Sequence, residues 1–435
     1  MKYYRIVTLG CKVNTYESEA IANQLCENGY QKYDDNHNPD VVIINTCSVT
    51  SASDGKSRQM INREHRNYPD ALIIVCGCYS QIASEVVAAI DGVKIVIGTK
   101  YRNKLIELIN EYEESKKPII RVENSRDDKE YEGINVNTYN DNTRAFIKIQ
   151  DGCNNFCSYC LIPYARGPVR SRPKEEILAE AKHLADSGFK ELVLTGIHTA
   201  GYGLDFKDYL FVDLLKDLLE VLPPYERVRI SSIEESEIPD AMLDLLASDK
   251  RVVPHLHIPI QSGCDTVLRR MNRKYTCAQF KEMVLKLRKR IPDIALTTDV
   301  IVGFPGESEE EFKKTVDFIK DIGFSALHVF PYSRRSGTVA DKMPNQIDVK
   351  IKKERVRTLI ELSNKLAKEY AKKFEGKPLE ILFETYDEKT GMLVGHAPNY
   401  MRVSAKGKID YLNTIREVII DVSGYPLNYG HLKEE

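Results

Sequence analysis

Short, largely apolar runs recur along the first three quarters of the chain, with helix-length stretches between them. The first set is RIVTL (5–9), VVIIN (41–45), ALIIV (71–75) and KIVIG (94–98), and apolar residues at helical spacing fill 18–28, 54–67 and 81–91. An apolar run of about four to eight residues without polar alternation marks a strand covered on both faces. Such strands pair in parallel, because the chain must cross over through a helix to begin the next one. The first hundred residues are therefore restricted to a small doubly wound α/β unit. The polar stretch 113–143, with ESKK, NSRDDKEYEG and NVNTYNDN, reads as an exposed linker.

The alternation then resumes on a longer scale. AFIKIQ (145–150), ELVLTGI (191–197), VRISSI (228–233), HLHIPI (255–260), ALTTDVIVGF (295–304) and ALHVFPY (326–332) alternate with helical stretches such as 174–187, 210–222, 278–290 and 307–322. A closed barrel of this type needs eight units, so six predict an open, partial (β/α)6 barrel. After a basic helical stretch, 349–374, the rhythm changes to LEILFET, MLVGHA, YMRVSA and EVIIDV, which predicts a small all-β, OB-like barrel. The fold class is α/β with an all-β tail.

Composition narrows the function. A formal net charge of −2 excludes a general polycation, so any nucleic-acid surface must be a local patch. MKYYRIVTLG carries no apolar signal core, and no run approaches the roughly 18 apolar residues of a membrane span, so a cytoplasmic protein without membrane contact is expected. Ten cysteines in a reducing compartment point to metal or redox chemistry rather than disulfides.

Three of them, Cys153, Cys157 and Cys160, stand in GCNNFCSYC just beyond AFIKIQ, at the strand end where α/β barrels carry their chemistry. Three thiols can ligate three irons of a cubane cluster and leave the fourth open to a small molecule. The alternative is a zinc site closed by a distant His183 or His198, although zinc ribbons come as CxxC pairs. A second trio is scattered: Cys11 follows RIVTL, Cys47 follows VVIIN and Cys78 follows ALIIV. Three parallel strands thus deliver one thiol each to the sheet edge where ligands bind. Core cysteines would fall within strands instead. Gly10 and Gly77 precede two of the thiols and allow tight turns there. Cys26 reads as core, and Cys76, Cys264 and Cys277 as spare thiols, with Cys76 nearest the second trio.

GCNNFCSYC matches the cluster motif of radical S-adenosylmethionine enzymes, and with LGCKVN, NTCSVT and GCYSQ before it the chain resembles the methylthiotransferases. The resemblance covers essentially the whole chain: a methylthiotransferase domain (1–125), a radical core (139–372) and a C-terminal TRAM domain (373–435). LTGIHTAGYG, RISSIEESEI and HLHIPIQSGCDTVLRRMNRKYT resemble the branch acting on N6-threonylcarbamoyladenosine-37 of tRNA; the isopentenyladenosine branch shares all six cysteines and is the nearest alternative. The resemblance implies two [4Fe-4S] clusters and S-adenosylmethionine. The cluster on Cys153, Cys157 and Cys160 would cleave S-adenosylmethionine and open the C2–H bond. The one on Cys11, Cys47 and Cys78 would supply sulfur. It also implies the tRNA anticodon loop with adenosine 37 as substrate and an electron donor such as flavodoxin or ferredoxin. A zinc-organised RNA-binding protein and an iron–sulfur carrier are the rival classes. A carrier needs no six-unit barrel, and an electron-transfer cluster normally takes four protein ligands.

Within that frame Tyr159 is expected to contact the cofactor's adenine. Thr195, Gly196, Gln261, Ser262 and Asp299, with Gly263, Gly303 and Phe304, lie at strand ends on the rim, and Glu234 and Glu235 end the third strand, where Glu234 could orient a cofactor. RGPVRSRPK places Arg166, Arg170, Arg172 and Lys174 directly after the cluster loop, which predicts phosphate contacts. The tail, 374–435, has seven Lys or Arg against ten Asp or Glu, so RNA contact there through Tyr400, Arg402 and Lys406 is an implication of the resemblance.

Overall fold

A computed structural model describes residues 1–34, 36–139 and 143–433. The first sheet comprises β1 (Lys2–Thr8), β2 (Tyr30–Lys32), β3 (Val41–Thr46), β4 (Leu72–Gly77), β5 (Val93–Ile97) and β6 (Ile119–Arg121), all parallel, in the order β2-β1-β3-β4-β5-β6. Alternate residues of the central strands pack on opposite faces. Ile43, Ile74 and Ile95 meet Ile21, Leu25 and Leu105, whereas Val42, Ile73 and Val75 meet Ile61 and Val87. Both faces are covered by helices, which is the doubly wound arrangement the apolar runs demand. The edge strands β2 and β6 and the helix Leu105–Ser115 lack that signature and went unread.

The expected linker is a packed strap instead. β6 pairs with β5, Ile134 and Val136 are buried with Tyr16 and Ala20, and the Glu132 carboxylate accepts from the Arg102 amide at 2.6 Å and its Nε at 2.8 Å. Two apolar residues and one carboxylate suffice to dock a stretch whose composition is otherwise polar. Residues 140–142 of that stretch lie outside the described residues.

The second unit holds β7 (Ala145–Asp151), β8 (Arg170–Ser171), β9 (Glu191–Gly196), β10 (Arg227–Ile230), β11 (His255–His257), β12 (Ala295–Val302) and β13 (Ala326–Pro331). Sheets β10-β9-β7-β8 and β11-β12-β13 are joined by parallel bridges at Ser232–His257 and Val228–Val252. Six parallel strands therefore form one open arc, with β8 antiparallel at its edge. The helix Val349–Lys372 then leads to β14 (Pro378–Asp387), β15 (Met392–His396), β16 (Arg402–Lys406), β17 (Ile415–Val422) and β18 (Asn428–Leu432), a closed barrel ordered β14-β15-β16-β18-β17. No helix among the described residues is long and apolar enough to cross a membrane.

Buried charge fastens the units together. Glu17, wholly buried on the helix Lys12–Glu27, takes ion pairs from Arg102 (2.7 Å), Lys148 on β7 (2.8 Å) and Arg166 beyond the cysteine loop (2.7 Å). Burial pushes its carboxyl up, but the three cations outweigh it and hold it below the usual carboxylate range. Arg229 on β10 grips buried Glu191 through two nitrogens, at 2.6 and 3.0 Å, and donates to the Pro398 carbonyl of the terminal barrel at 3.0 Å.

Glu17→Gln leaves three cations facing a neutral amide and is expected to cost about 3–5 kcal/mol at pH 7. Because the folded-state pKa of Glu17 is depressed, its contribution is complete above the unfolded carboxylate value of about 4.3 and is lost as pH falls below it. Urea titrations should show a constant gap between the two proteins near neutrality that closes in acid.

Candidate active site: two cysteine trios on one cavity

The scattered trio is assembled by the topology. β1, β3 and β4 are adjacent, and Cys11, Cys47 and Cys78 each lie just beyond one of them. Gly10 turns the chain at φ +111°, where a Cβ would stand 2.8 Å from the Cys47 Cβ and 3.0 Å from its Sγ. Gly77, at φ +99°, would place a Cβ 2.4 Å from the Thr46 carbonyl. The backbone is thus bare where the thiols gather. Asn14 holds the loops in place by donating to the Leu9 and Thr46 carbonyls at 2.7 and 3.0 Å. Burial, with Cys11 close by, pushes up the thiols of Cys47 and Cys78, the latter to about 11. Arg166 Nε donates to Cys78 Sγ at 3.2 Å.

The compact trio lies on the loop between β7 and the helix Ile162–Arg166. Gly152, at φ +75°, begins it where a Cβ would collide with the Pro168 carbonyl at 1.8 Å. The Ser158 amide and hydroxyl donate to the carbonyls of Met271 and Arg270 at 3.0 and 2.8 Å, and the Ala340 amide donates to the Ser158 carbonyl at 2.8 Å. Burial pushes Cys153 and Cys160 to about 12, and neighbouring thiols of the trio add to this. Arg273 Nη1 donates to Cys157 Sγ at 3.4 Å and pairs with Glu234 at 3.1 Å.

Among the described residues no three His, Cys, Asp or Glu converge closely enough to hold a single ion. The zinc alternative finds no closed site there, since neither His183, on the Asn137 carbonyl at 2.9 Å, nor His198, paired with Glu237, completes such a group. Both trios fit a multi-iron cluster, whose thiolates sit on separate irons, and the glycine-lined cradle beside Cys47 leaves room for a bulky group.

Two neighbouring cavities lie beside the trios. A 540 Å³ cavity is lined by Cys11 and Lys12, by Thr195, Gly196 and Asp299, and by Tyr400 of the terminal barrel. A 190 Å³ pocket is lined by Cys160, Tyr159 and Gln261. Asp299 and Phe330 line both. Thr195, Gly196 and Asp299 line the larger cavity, Tyr159 and Gln261 the smaller one, and Arg273 bridges Glu234 and Cys157. Ser262 does not belong with them: it is buried, with Oγ on Thr315 at 3.1 Å. Phe304 is buried packing beneath Tyr159 and Tyr332. Cys76, two residues before Cys78 and in register with Asn45, packs its side chain into the apolar core of the first sheet.

The arginine patch is also corrected. Arg166 is buried against Glu17, Asp151 and Cys78. Arg170 is buried with Nη1 on the Arg166 carbonyl at 2.8 Å, and Arg172 is buried against Glu180 at 2.6 Å. They cross-link the domains and offer nothing to a phosphate. Lys174 is half-exposed but paired with Asp217 at 3.1 Å, whereas Arg402 and Lys406 are exposed. Tyr400 turns inward, stacked between His255 and His396. Lys12, His255, His257 and His328 line the large cavity and were not foreseen. Their signal was the period-two histidine of HLHIP and the lone histidine of ALHVF, because alternate residues of a barrel strand face the lumen.

Residues 147–319 match the Radical SAM superfamily and residues 3–98 the uncharacterized protein family UPF0004. The chain is 51% identical over 426 residues to the threonylcarbamoyladenosine tRNA methylthiotransferase MtaB of Bacillus subtilis (strain 168), covering 97% of this chain and 94% of that one. It belongs to the radical SAM tRNA methylthiotransferase family. A protein of the same name from Aquifex aeolicus is 39% identical over 86% of this chain and 91% of its own. A tRNA-2-methylthio-N(6)-dimethylallyladenosine synthase of Caldicellulosiruptor saccharolyticus is 35% identical over 99% and 92%. The fold is shared with the radical S-adenosylmethionine methyltransferase TsrM of Kitasatospora setae, at TM-score 0.59 and 15% identity over 78% of this chain and 77% of that one.

Gly10→Ala should crowd Cys47 in this methylthiotransferase. Reconstituted iron is expected to fall from about eight to about four atoms per chain, with S-adenosylmethionine cleavage retained. Gly29→Ala, also at positive φ but with nothing within 4 Å, should keep its iron and serves as the control.

Proposed function

We propose that this methylthiotransferase converts N6-threonylcarbamoyladenosine at position 37 of tRNA to its 2-methylthio derivative. The observation that carries the substrate branch is near-full-length 51% identity to a threonylcarbamoyladenosine enzyme, against 34–39% to dimethylallyladenosine synthases. Neighbouring cavities, one lined by Cys11 and the other by Cys160 and sharing Asp299 and Phe330, support the chemistry. The family's two [4Fe-4S] clusters and S-adenosylmethionine, when bound, would supply reductive cleavage of the sulfonium, the radical that opens the C2–H bond homolytically, the sulfur and the methyl group.

Cys153, Cys157 and Cys160 would hold the cluster that leaves one iron position open, and Cys11, Cys47 and Cys78 would hold the other. Tyr159 and Gln261 wall the pocket beside Cys160, where S-adenosylmethionine fits, and Glu234 acts there through Arg273. Thr195 and Gly196 shape the neighbouring cavity for the nucleoside, and Asp299 stands at the junction. The three-domain division, 1–125, 139–372 and 373–435, is supported by a separate core for each sheet system. Residues 35, 140–142 and 434–435, which these spans include, lie outside the described residues. The reaction is cytoplasmic and draws its electron from a donor such as flavodoxin or ferredoxin. Exposed Arg402 and Lys406 on the terminal barrel face outward, as phosphate contacts would require.

Cys157→Ala should abolish 5′-deoxyadenosine formation. Cys47→Ala should retain it while yielding no methylthio product. Anaerobic reconstitution followed by mass spectrometry of tRNA nucleosides reads both. Methylthio product from Cys47→Ala over several turnovers would remove the sulfur assignment. Wild-type activity on dimethylallyladenosine alone would move the protein to the other branch.

A further inference from the structure

We infer that the inner end of the large cavity is a carboxylate-recognition pocket, in which Lys12, flanked by His257 and His328, receives the carboxylate of the substrate's threonylcarbamoyl group. The inference deepens the function proposed above and rests on it for the identity of the ligand.

The first observation is a cation without an ion pair. Lys12 is the only Lys or Arg among the described residues that line the 540 Å³ cavity, and it makes no ion pair among them. Every basic group packed around it is already neutralised. Arg229 is held by Glu191 and Arg144 by Glu384 at 2.9 Å, while Lys148 and Arg166 are held by Glu17 and Asp151. The Lys12 ammonium lies 6.0 Å from the centroid of Tyr400, over whose ring Arg229 and Arg144 also sit at 4.8 and 5.6 Å. A half-buried cation with no counter-ion, on the wall of a cavity that must hold a substrate, asks for an anion.

The second observation is the imidazole cluster. His257 and His328 meet edge to face at 5.5 Å, and both line the cavity. His257 Nδ1 is on Thr297 Oγ1 at 3.0 Å and its Nε2 faces Asp299 at 3.3 Å. His255, 4% exposed, stacks on Tyr400 at 4.7 Å, and its Nδ1 has no partner. Burial holds His255 and His328 below the ordinary imidazole value, with neighbouring basic groups adding to this. The two rings thus favour the neutral form, which offers one donor and one acceptor nitrogen, and Lys12, whose ammonium burial also pushes down, is the basic side chain of this wall. The Asp299 carboxylate, which lines the same cavity and the smaller pocket, faces His257 Nε2 at 3.3 Å.

The third is position. The reacting C2 atom must lie between the trio at Cys160 and the trio at Cys11, and in adenine C2 and N6 share one edge of the ring. A substituent on N6 is thus confined to the same cavity. The threonylcarbamoyl group ends in a carboxylate and a hydroxyl, which match a lysine and neutral imidazoles. A dimethylallyl group is hydrocarbon and would desolvate Lys12 with nothing in return.

The test uses reconstituted enzyme with S-adenosylmethionine under anaerobic conditions and two anticodon stem-loop RNAs. One carries threonylcarbamoyladenosine at position 37, and the other its neutral carboxamide analogue. Wild type is expected to bind the acid at least about tenfold tighter than the amide, as a charge-assisted contact requires. Lys12→Met should bind both with the weaker affinity, its iron content reporting that neighbouring Cys11 is undisturbed. His328→Leu, remote in sequence from every cysteine, should also lose much of the preference. Equal binding of acid and amide by wild type, or an undiminished preference in both variants, would overturn the pocket. Wild type that prefers the acid yet leaves C2 unmodified would keep the pocket and remove the proposed function instead.

Discussion

A single buried carboxylate holds the arrangement on which the rest depends. Glu17 is fully enclosed, and its two oxygens are shared by Arg102 of the first domain, Lys148 of the first barrel strand and Arg166 at the end of the cysteine loop. A buried ion pair contributes little net stability when complete and costs much when one partner is removed. Its use here is geometric: only one docking of sheet on barrel satisfies all the charges at once. Arg166 also reaches Cys78 at 3.2 Å, so the residue that locks the domains touches a thiol of the scattered trio. The separation of the two trios is thereby set by a charge network rather than by a hinge.

From that docking the cavity follows. The open side of a six-strand arc would expose the lumen to water, and the structure closes it with parts of two other units. The start of the helix Lys12–Glu27 covers one side, and Tyr400, at the turn between β15 and β16, covers another. Arg229 ties the arc to the terminal barrel by gripping Glu191 of β9 and donating to the Pro398 carbonyl. A partial barrel is useful for this reason. A closed one would have filled its lumen with its own side chains.

The parts legible in the sequence were those with local signatures. Apolar runs located the central strands of both sheets, and cysteines just past strand ends located both trios. Arg166, Arg170 and Arg172 were misread because nothing in RGPVRSR reveals a carboxylate 149 residues earlier in the chain. Local charge looks the same whether its partner is solvent, phosphate or Glu17. The strap 113–143 was misread for the complementary reason, since Ile134 and Val136 are too few to register against a polar background. The histidines were overlooked because their meaning lies in the orientation of alternate residues on β11 and β13, which appears only when the arc is built.

The cysteines show why chemistry must be read from position. Burial pushes Cys76, in the core of the first sheet, to about 12, the same level it gives Cys153 and Cys160. Acidity therefore does not separate a structural thiol from a candidate ligand in the protein alone. What separates them is what a cation could reach. Cys76 is wholly buried among Ile74, Ile95 and Ile97, where a charged group has no solvation. The trio thiols lie beside one another at strand ends, on loops whose glycines clear space and whose arginines, Arg166 and Arg273, donate to sulfur. Iron that displaces their protons gains several thiolates at once, and those arginine hydrogen bonds stabilise the charge left on the sulfurs. Metal binding at such a site releases protons and is favoured as pH rises, whereas Cys76 remains a small apolar side chain.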